Sequence, residues 1–71
     1  MSYERIAQIA QDFQESLQSG DGISLDEAVA QLKEIANQGV SIHVVLRNLY
    51  TLRSSKTDNT YAINLLINQL E

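Results

Sequence analysis

Apolar residues recur every three or four positions along most of the chain, a spacing that places side chains on one face of an α-helix. Three breaks interrupt this pattern: the glycine-rich segment 20–22, Gly39, and the polar stretch 54–60. No proline occurs anywhere in the sequence. The pattern therefore predicts four short helices, at approximately 3–19, 25–38, 42–54 and 59–70.

Start and stop signals are clearest around the second helix. Ser24 and Glu27 have the spacing of a capping box, in which the serine hydroxyl accepts the amide of Glu27 and the glutamate side chain reaches back to the amide of Ser24. Gly39 is expected to end this helix in the left-handed conformation. Ser41 is expected to cap the third helix. Since so few residues separate these two helices, the sequence predicts that they form a tight hairpin.

The predicted core consists of the apolar stripes of the four helices. These stripes are Ile6, Ile9, Ala10, Phe13 and Leu17; Leu25, Val29, Leu32, Ile35 and Ala36; Ile42, Val45, Leu46, Leu49, Tyr50 and Leu52; and Ile63, Leu66, Ile67 and Leu70. The third stripe covers nearly half of its helix, which predicts that the third helix is the most buried one. The sequence thus predicts one all-α domain over residues 1–71, a small bundle. The pattern leaves open whether the third and fourth helices are separate or continuous.

Composition excludes several kinds of chemistry. The 71 residues include no cysteine, which excludes disulfides and thiolate ligands. His43 is the only histidine, whereas metal sites usually need three or four convergent ligands. The segment 20–27 resembles part of a calcium-binding loop, but Ser16 and Gln18 would occupy its first ligand positions. No nucleophile motif or phosphate-binding loop is present. We therefore expect that the protein is not an enzyme, has no catalytic residues, and binds no metal, cofactor or small-molecule substrate.

Hydropathy predicts a cytoplasmic protein. No apolar run approaches the roughly 20 residues that cross a bilayer. The first ten residues, MSYERIAQIA, lack the basic start and the long apolar stretch of a signal peptide. We therefore expect neither export nor membrane insertion.

The distribution of charge is uneven. The formal net charge is −4, which opposes general binding to polyanions because affinity for phosphates comes largely from cations that displace counterions. Residues 35–57 nevertheless contain no acidic residue and carry His43, Arg47, Arg53 and Lys56. A small basic face on an acidic protein is therefore predicted.

Residues 31–52 resemble a DNA-binding helix-turn-helix. Gly39, Val40, Ser41 and Val45 match its turn glycine and the aliphatic and capping positions around it. The resemblance implies that the third helix enters the major groove, where His43 and Arg47 are the residues able to make polar contacts. Together with Arg53 and Lys56 of the basic face, they are the predicted nucleic-acid-binding residues.

The same turn also has a purely structural interpretation. Gly39 ends a helix, Ser41 begins one, and Val40 and Val45 form a hydrophobic staple at the corner. The match to the DNA-binding motif is incomplete, because Ile35 occupies the position of a small residue and Asn48 the position of an aliphatic one. The pattern favours a helical hairpin over a DNA-reading turn.

Three apolar residues fall on otherwise polar helix faces: Val44 on the third helix, and Tyr61 and Leu65 on the fourth. Isolated surface hydrophobes are normal, but such residues also form protein interfaces. We predict a small interaction module or regulator that binds a partner protein, or a second copy as a homodimer, through apolar faces of helices 3 and 4. A DNA-binding regulator is the alternative. A structural subunit of a larger assembly is not distinguished from the first prediction by sequence.

Overall fold

The computed structural model describes residues 2–55 and 60–71. These described residues form four α-helices: α1 Ser2–Ser19, α2 Leu25–Asn37, α3 Ile42–Ser55 and α4 Thr60–Leu70. Each boundary lies within one residue of its predicted position, and the described residues contain no β-strand. The prediction of an all-α bundle of four short helices is confirmed.

The four helices enclose a single hydrophobic core. Each helix packs against each of the other three, and the molecule measures 33 × 23 × 22 Å. The largest fully buried side chains come from every helix: Phe13, Ile6, Leu32, Leu49, Ile63, Leu66 and Val45. Burial of these stripes is the main source of stability in so short a chain.

Of the two hydrogen bonds predicted for the capping box at the start of α2, only one forms. The Ser24 hydroxyl accepts a hydrogen bond from the Glu27 amide at 3.2 Å. The Glu27 carboxylate does not complete the capping box; it accepts a hydrogen bond from the side-chain amide of Gln31 at 3.0 Å. Because Gln31 is one turn further along α2, the glutamate side chain is directed along the helix rather than back to Ser24.

The connection between α2 and α3 has the predicted local structure. Gly39 has a φ of 101°, in the left-handed region that glycine adopts without steric cost. The Ser41 hydroxyl accepts hydrogen bonds from two amides in the first turn of α3, at 3.1 and 3.4 Å. Val45 is fully buried, and Val40 packs against the core. The segment is therefore a capped corner between two helices in contact.

Helices α3 and α4 are separate and antiparallel. The Tyr50 hydroxyl on α3 donates a hydrogen bond to the carboxylate of Glu71, which follows α4. Nearer the connection, the Arg53 guanidinium donates to the side-chain oxygen of Asn64 at 2.7 Å. One continuous helix would place residues 50 and 71 about 30 Å apart, at about 1.5 Å per residue. The continuous alternative is therefore excluded.

The prediction that α3 is the most buried helix is wrong. In α3 the buried residues are Val45, Leu49 and Leu52, while Tyr50 from its predicted stripe is exposed. The shorter α4 buries Ala62, Ile63, Leu66 and Ile67. Charge explains the difference. Helix α4 contains no charged side chain, whereas α3 carries two arginines that must remain near water.

Leu17 is a second departure from the predicted core. It continues the stripe of Phe13 one turn further along α1, but 47% of its surface is exposed. The buried part of α1 ends at Gln14, so the last turn of the helix extends past the core. Leu17 is therefore an apolar surface residue.

Candidate functional site

The predicted partner-binding residues differ in exposure. Tyr61 is 70% exposed, the highest value among the large apolar residues that the structure describes, and Val44 is 41% exposed. Leu65 is half-buried and packs against the core. Tyr61 and Val44 are therefore available to a partner, whereas Leu65 contributes largely to the fold.

Tyr61 lies next to Leu17. Together with Gln14, Gln18 and Ala62 they line a surface depression of about 150 Å³ between α1 and α4. We call these five residues the Leu17–Tyr61 patch. No charged side chain is among them. Sequence reasoning missed Leu17 because its position on the α1 stripe placed it in the core; its nearness to Gly20, where the helix ends, was the available signal.

Val44 lies elsewhere. It occupies the first turn of α3, where its amide donates to the Ser41 cap. It stands about 120° around α3 from Tyr50, at about 100° per residue, and Tyr50 is on the side that meets the end of α4. Neither Val44 nor Leu65 lines the Leu17–Tyr61 patch. Val44 is therefore separate from the patch, as the sequence predicts, whereas Leu65 lies one turn after Tyr61 on α4, outside the lining of the depression.

A larger, open depression of about 500 Å³ runs along the exposed side of α3. We call it the α3 groove. Its lining residues are His43, Leu46, Arg47, Tyr50, Thr51 and Ser54. The hydroxyls of Thr51 and Ser54 donate to carbonyls of their own helix, at 3.0 and 3.1 Å. The cationic and apolar side chains of the groove therefore remain as its distinctive groups.

The four residues of the nucleic-acid prediction are not equally placed. His43 and Arg47 are exposed and share the α3 groove. Arg53 is half-buried: its guanidinium donates to Asn64 and lies 4.9 Å from the centre of the Tyr50 ring. Lys56 lies outside the described residues. The structure therefore brings two of these residues together and engages a third in packing.

Tyr50 is held from two sides. Its ring contacts the Arg53 guanidinium, and its hydroxyl donates to Glu71 at 2.5 Å. The hydrogen bond to Glu71, with smaller contributions from desolvation and from the charge of Glu71, raises the pKa of Tyr50 above its ordinary value of 10.0, against an opposing effect of Arg53. The phenol is thus held in its neutral form, which links α3 to the end of α4.

This linkage predicts a pH dependence. Because the folded-state pKa of Tyr50 is raised, its contribution to stability is complete below about pH 10, the ordinary tyrosine value. The contribution is lost as the pH rises through the folded-state pKa. Tyrosinate absorbance is titrated against pH for the wild type and for Tyr50→Phe, and the difference between the two curves belongs to Tyr50. The midpoint of this difference curve should lie above about pH 10, and Glu71→Gln should lower it. A Tyr50 midpoint unaffected by Glu71→Gln would contradict this assignment.

Within the two described segments, no group of three or more histidine, aspartate and glutamate side chains is arranged to hold a metal ion.

In the part of the chain that the structure describes, no helix combines the length and the apolar character needed to cross a membrane.

Comparison with known proteins does not assign the chain to a family. No protein-family model matches it, and neither curated proteins nor solved structures give a significant match.

Proposed function

We propose that this chain is a non-enzymatic protein-interaction module that pairs with a second copy of itself through the Leu17–Tyr61 patch. The observation that carries the proposal is the exposed ring of Tyr61 beside an apolar depression that it helps to line. Aromatic side chains of this kind are enriched at the centres of protein interfaces. Helix α4 supplies the predicted docking residue, and α1 rather than α3 completes the surface.

The geometry suits a symmetric dimer. A two-fold interface uses the same patch on both subunits, so that patch must be complementary to itself. The Leu17–Tyr61 patch contains both a projecting ring and a depression, so the ring of each copy can enter the depression of the other. The amide of Gln18, which is exposed, provides a polar group at the edge of the same surface.

Charge also favours this face for self-association. Two copies that each carry a net charge of −4 repel one another. The patch contains no charged side chain, so bringing two patches together does not desolvate a charge or oppose like charges directly. A stable dimer commonly buries about 800 Å² per partner, about a fifth of the 4430 Å² surface of this chain. The interface must therefore extend along α1 and α4 beyond the depression.

Tyr61→Ala is expected to raise the dissociation constant of the dimer by about 30-fold, corresponding to about 2 kcal/mol for an interface anchor. The ring is largely exposed in the single chain, so thermal stability extrapolated to low concentration should change little. Sedimentation velocity from about 10 μM to about 1 mM covers the range of weak to moderate association.

Val44→Ala is the matched control, because it also truncates an exposed apolar residue but on a different helix. It should leave the dissociation constant unchanged. A wild-type chain that stays monomeric over the whole range contradicts the homodimer. If Val44→Ala weakens association while Tyr61→Ala does not, the interface lies on α3 instead.

DNA binding through α3 is the alternative function. Of its predicted residues, His43 and Arg47 support it best, because both line the α3 groove. It predicts that duplex DNA is retained at low salt, that binding falls steeply as salt rises, and that Arg47→Ala weakens it. The packing of Arg53 against Tyr50 and Asn64 leaves fewer free cations than the sequence pattern had indicated. We therefore favour protein interaction.

A further inference from the structure

The α3 groove differs in chemistry from the Leu17–Tyr61 patch. Leu46 and the ring of Tyr50 supply apolar surface, Arg47 supplies a cation, and the imidazole of His43 supplies a polar group that can hydrogen-bond a carboxylate. No acidic residue is present in α3. From this combination we infer that the α3 groove binds an acidic amphipathic helix of a partner protein, with aliphatic side chains against Leu46 and Tyr50 and carboxylates facing His43 and Arg47.

The spacing and length of the lining residues suit a partner helix. These residues recur every three or four positions from His43 to Ser54, all on one side of α3. This stretch is about 16 Å long at about 1.5 Å per residue, equal to about three turns of a partner helix. An amphipathic helix that lies along such a stripe contacts it with residues spaced three and four apart. An extended or globular partner has no matching period.

Charge complementarity selects an acidic helix. Seven of the nine acidic residues of the chain precede residue 35, so the negative charge is concentrated on α1, α2 and their connection. Glu71 lies beside Tyr50, where its carboxylate accepts a hydrogen bond from the tyrosine hydroxyl and its negative charge is opposed by Arg53, which stacks on the same ring. An acidic partner that approaches α3 therefore meets Arg47 and His43, while other faces of the protein repel it.

Tyr50 is prepared for binding. Stacking by Arg53 and the hydrogen bond to Glu71 restrain the ring from two directions, although 38% of the residue is exposed. A side chain that is already ordered loses less conformational entropy when a partner packs against it. The Tyr50 ring thus forms a fixed wall of the groove.

The same observations disfavour DNA as the occupant. Proteins that bind duplex DNA strongly neutralise many phosphates, often about 6–10. The groove offers His43 and Arg47, on a protein with a net charge of −4. Leu46 and Tyr50 have no counterpart in a phosphate backbone, whereas they match the apolar face of a helix. DNA remains an outcome of the test.

The test is an NMR titration of the ¹⁵N-labelled full chain, with a synthetic acidic amphipathic helix of leucines and glutamates as the probe. The comparison peptide replaces every glutamate by glutamine. Amide shifts should change along residues 43–54 with the acidic peptide, and binding should weaken as salt increases. Arg47→Glu should raise the dissociation constant by about tenfold, since it replaces an attraction by a repulsion. Lys33→Glu makes the same change of net charge at an exposed position of α2 and should have little effect.

Three results would overturn the inference: no amide shift at millimolar peptide, equal binding of the glutamine peptide, or equal effects of Arg47→Glu and Lys33→Glu. Stronger perturbation of residues 43–54 by a mixed-sequence DNA duplex would assign the groove to nucleic acid. Shifts at residues 43–54 caused by the unlabelled chain itself would assign it to a second copy. The titration is repeated with Tyr61→Ala, which weakens the proposed homodimer, at a chain concentration at which this variant is monomeric. Binding that persists there separates this inference from the proposed function, and neither depends on the other.

Discussion

Phe13→Ala is expected to lower the free energy of unfolding by about 3–5 kcal/mol. Phe13 is 2% exposed and is the largest of the fully buried side chains that the structure describes. Its removal takes apolar surface away from the core and leaves a cavity that the surrounding helices only partly fill. Domains are stable by about 0.05–0.15 kcal/mol per residue, so this loss is a large share of the stability of a 71-residue chain.

Urea denaturation followed by circular dichroism at the helical band measures this loss. Leu17→Ala is the matched control, because Leu17 is one turn along the same stripe of α1 but 47% exposed. At a protein concentration low enough to dissociate the proposed dimer, in which Leu17 takes part, this substitution should lower the free energy of unfolding by less than about 1 kcal/mol, as for other surface substitutions. Equal costs for the two variants would mean that the last turn of α1 packs into the core, as the sequence pattern alone had indicated.

Gly22→Ala is expected to lower the free energy of unfolding by about 2–5 kcal/mol. Gly22 has a φ of 104°, and an L-residue in the left-handed region is less stable by about 1–2 kcal/mol. A β-carbon at this position would also overlap the backbone carbonyl oxygen of Asp12 in α1. Because a backbone atom cannot rotate away as a side chain can, the connection between α1 and α2 must shift, at a further cost of about 1–3 kcal/mol.

Gly20→Ala separates the two contributions. Gly20 has a similar φ of 85°, but a β-carbon there meets no atom within 4 Å. Gly20→Ala should therefore lower the free energy of unfolding only by the conformational contribution, about 1–2 kcal/mol, in the same urea experiment. Equal costs for both variants would show that the connection does not approach Asp12 closely. A larger cost for Gly22→Ala supports the close packing of this connection against α1.

The two proposed surfaces have different requirements. The Leu17–Tyr61 patch is uncharged, while the two copies repel one another through their net charge of −4 each, so association through the patch should strengthen as salt screens this repulsion. The α3 groove contains Arg47 and His43, so binding there should weaken as salt screens the charges. Salt dependence therefore distinguishes the surfaces even where both are occupied.

Local structure was predictable from the sequence because its causes lie within a few residues. A serine hydroxyl reaches amides in the next turn, and a glycine adopts the left-handed conformation without help from distant residues. The helix bounds, the caps at Ser24 and Ser41 and the corner at Gly39 were therefore predicted and are confirmed. The apolar period also identified most of the core, since it shows which side of each helix is apolar.

Only the tertiary structure showed which helix covers which face. The period of a helix gives the direction of a side chain about its own axis, but it does not show where a neighbouring helix begins or ends. For this reason the pattern places Leu17 in the core although it is exposed in the fold. The pattern places Leu65 on a polar face, whereas in the fold it is half-buried and packs against the core. The contacts of Tyr50 with Glu71 and of Arg53 with Asn64 join residues far apart in sequence. The pairing of Leu17 with Tyr61 has the same origin, because it depends on how α1 and α4 pack.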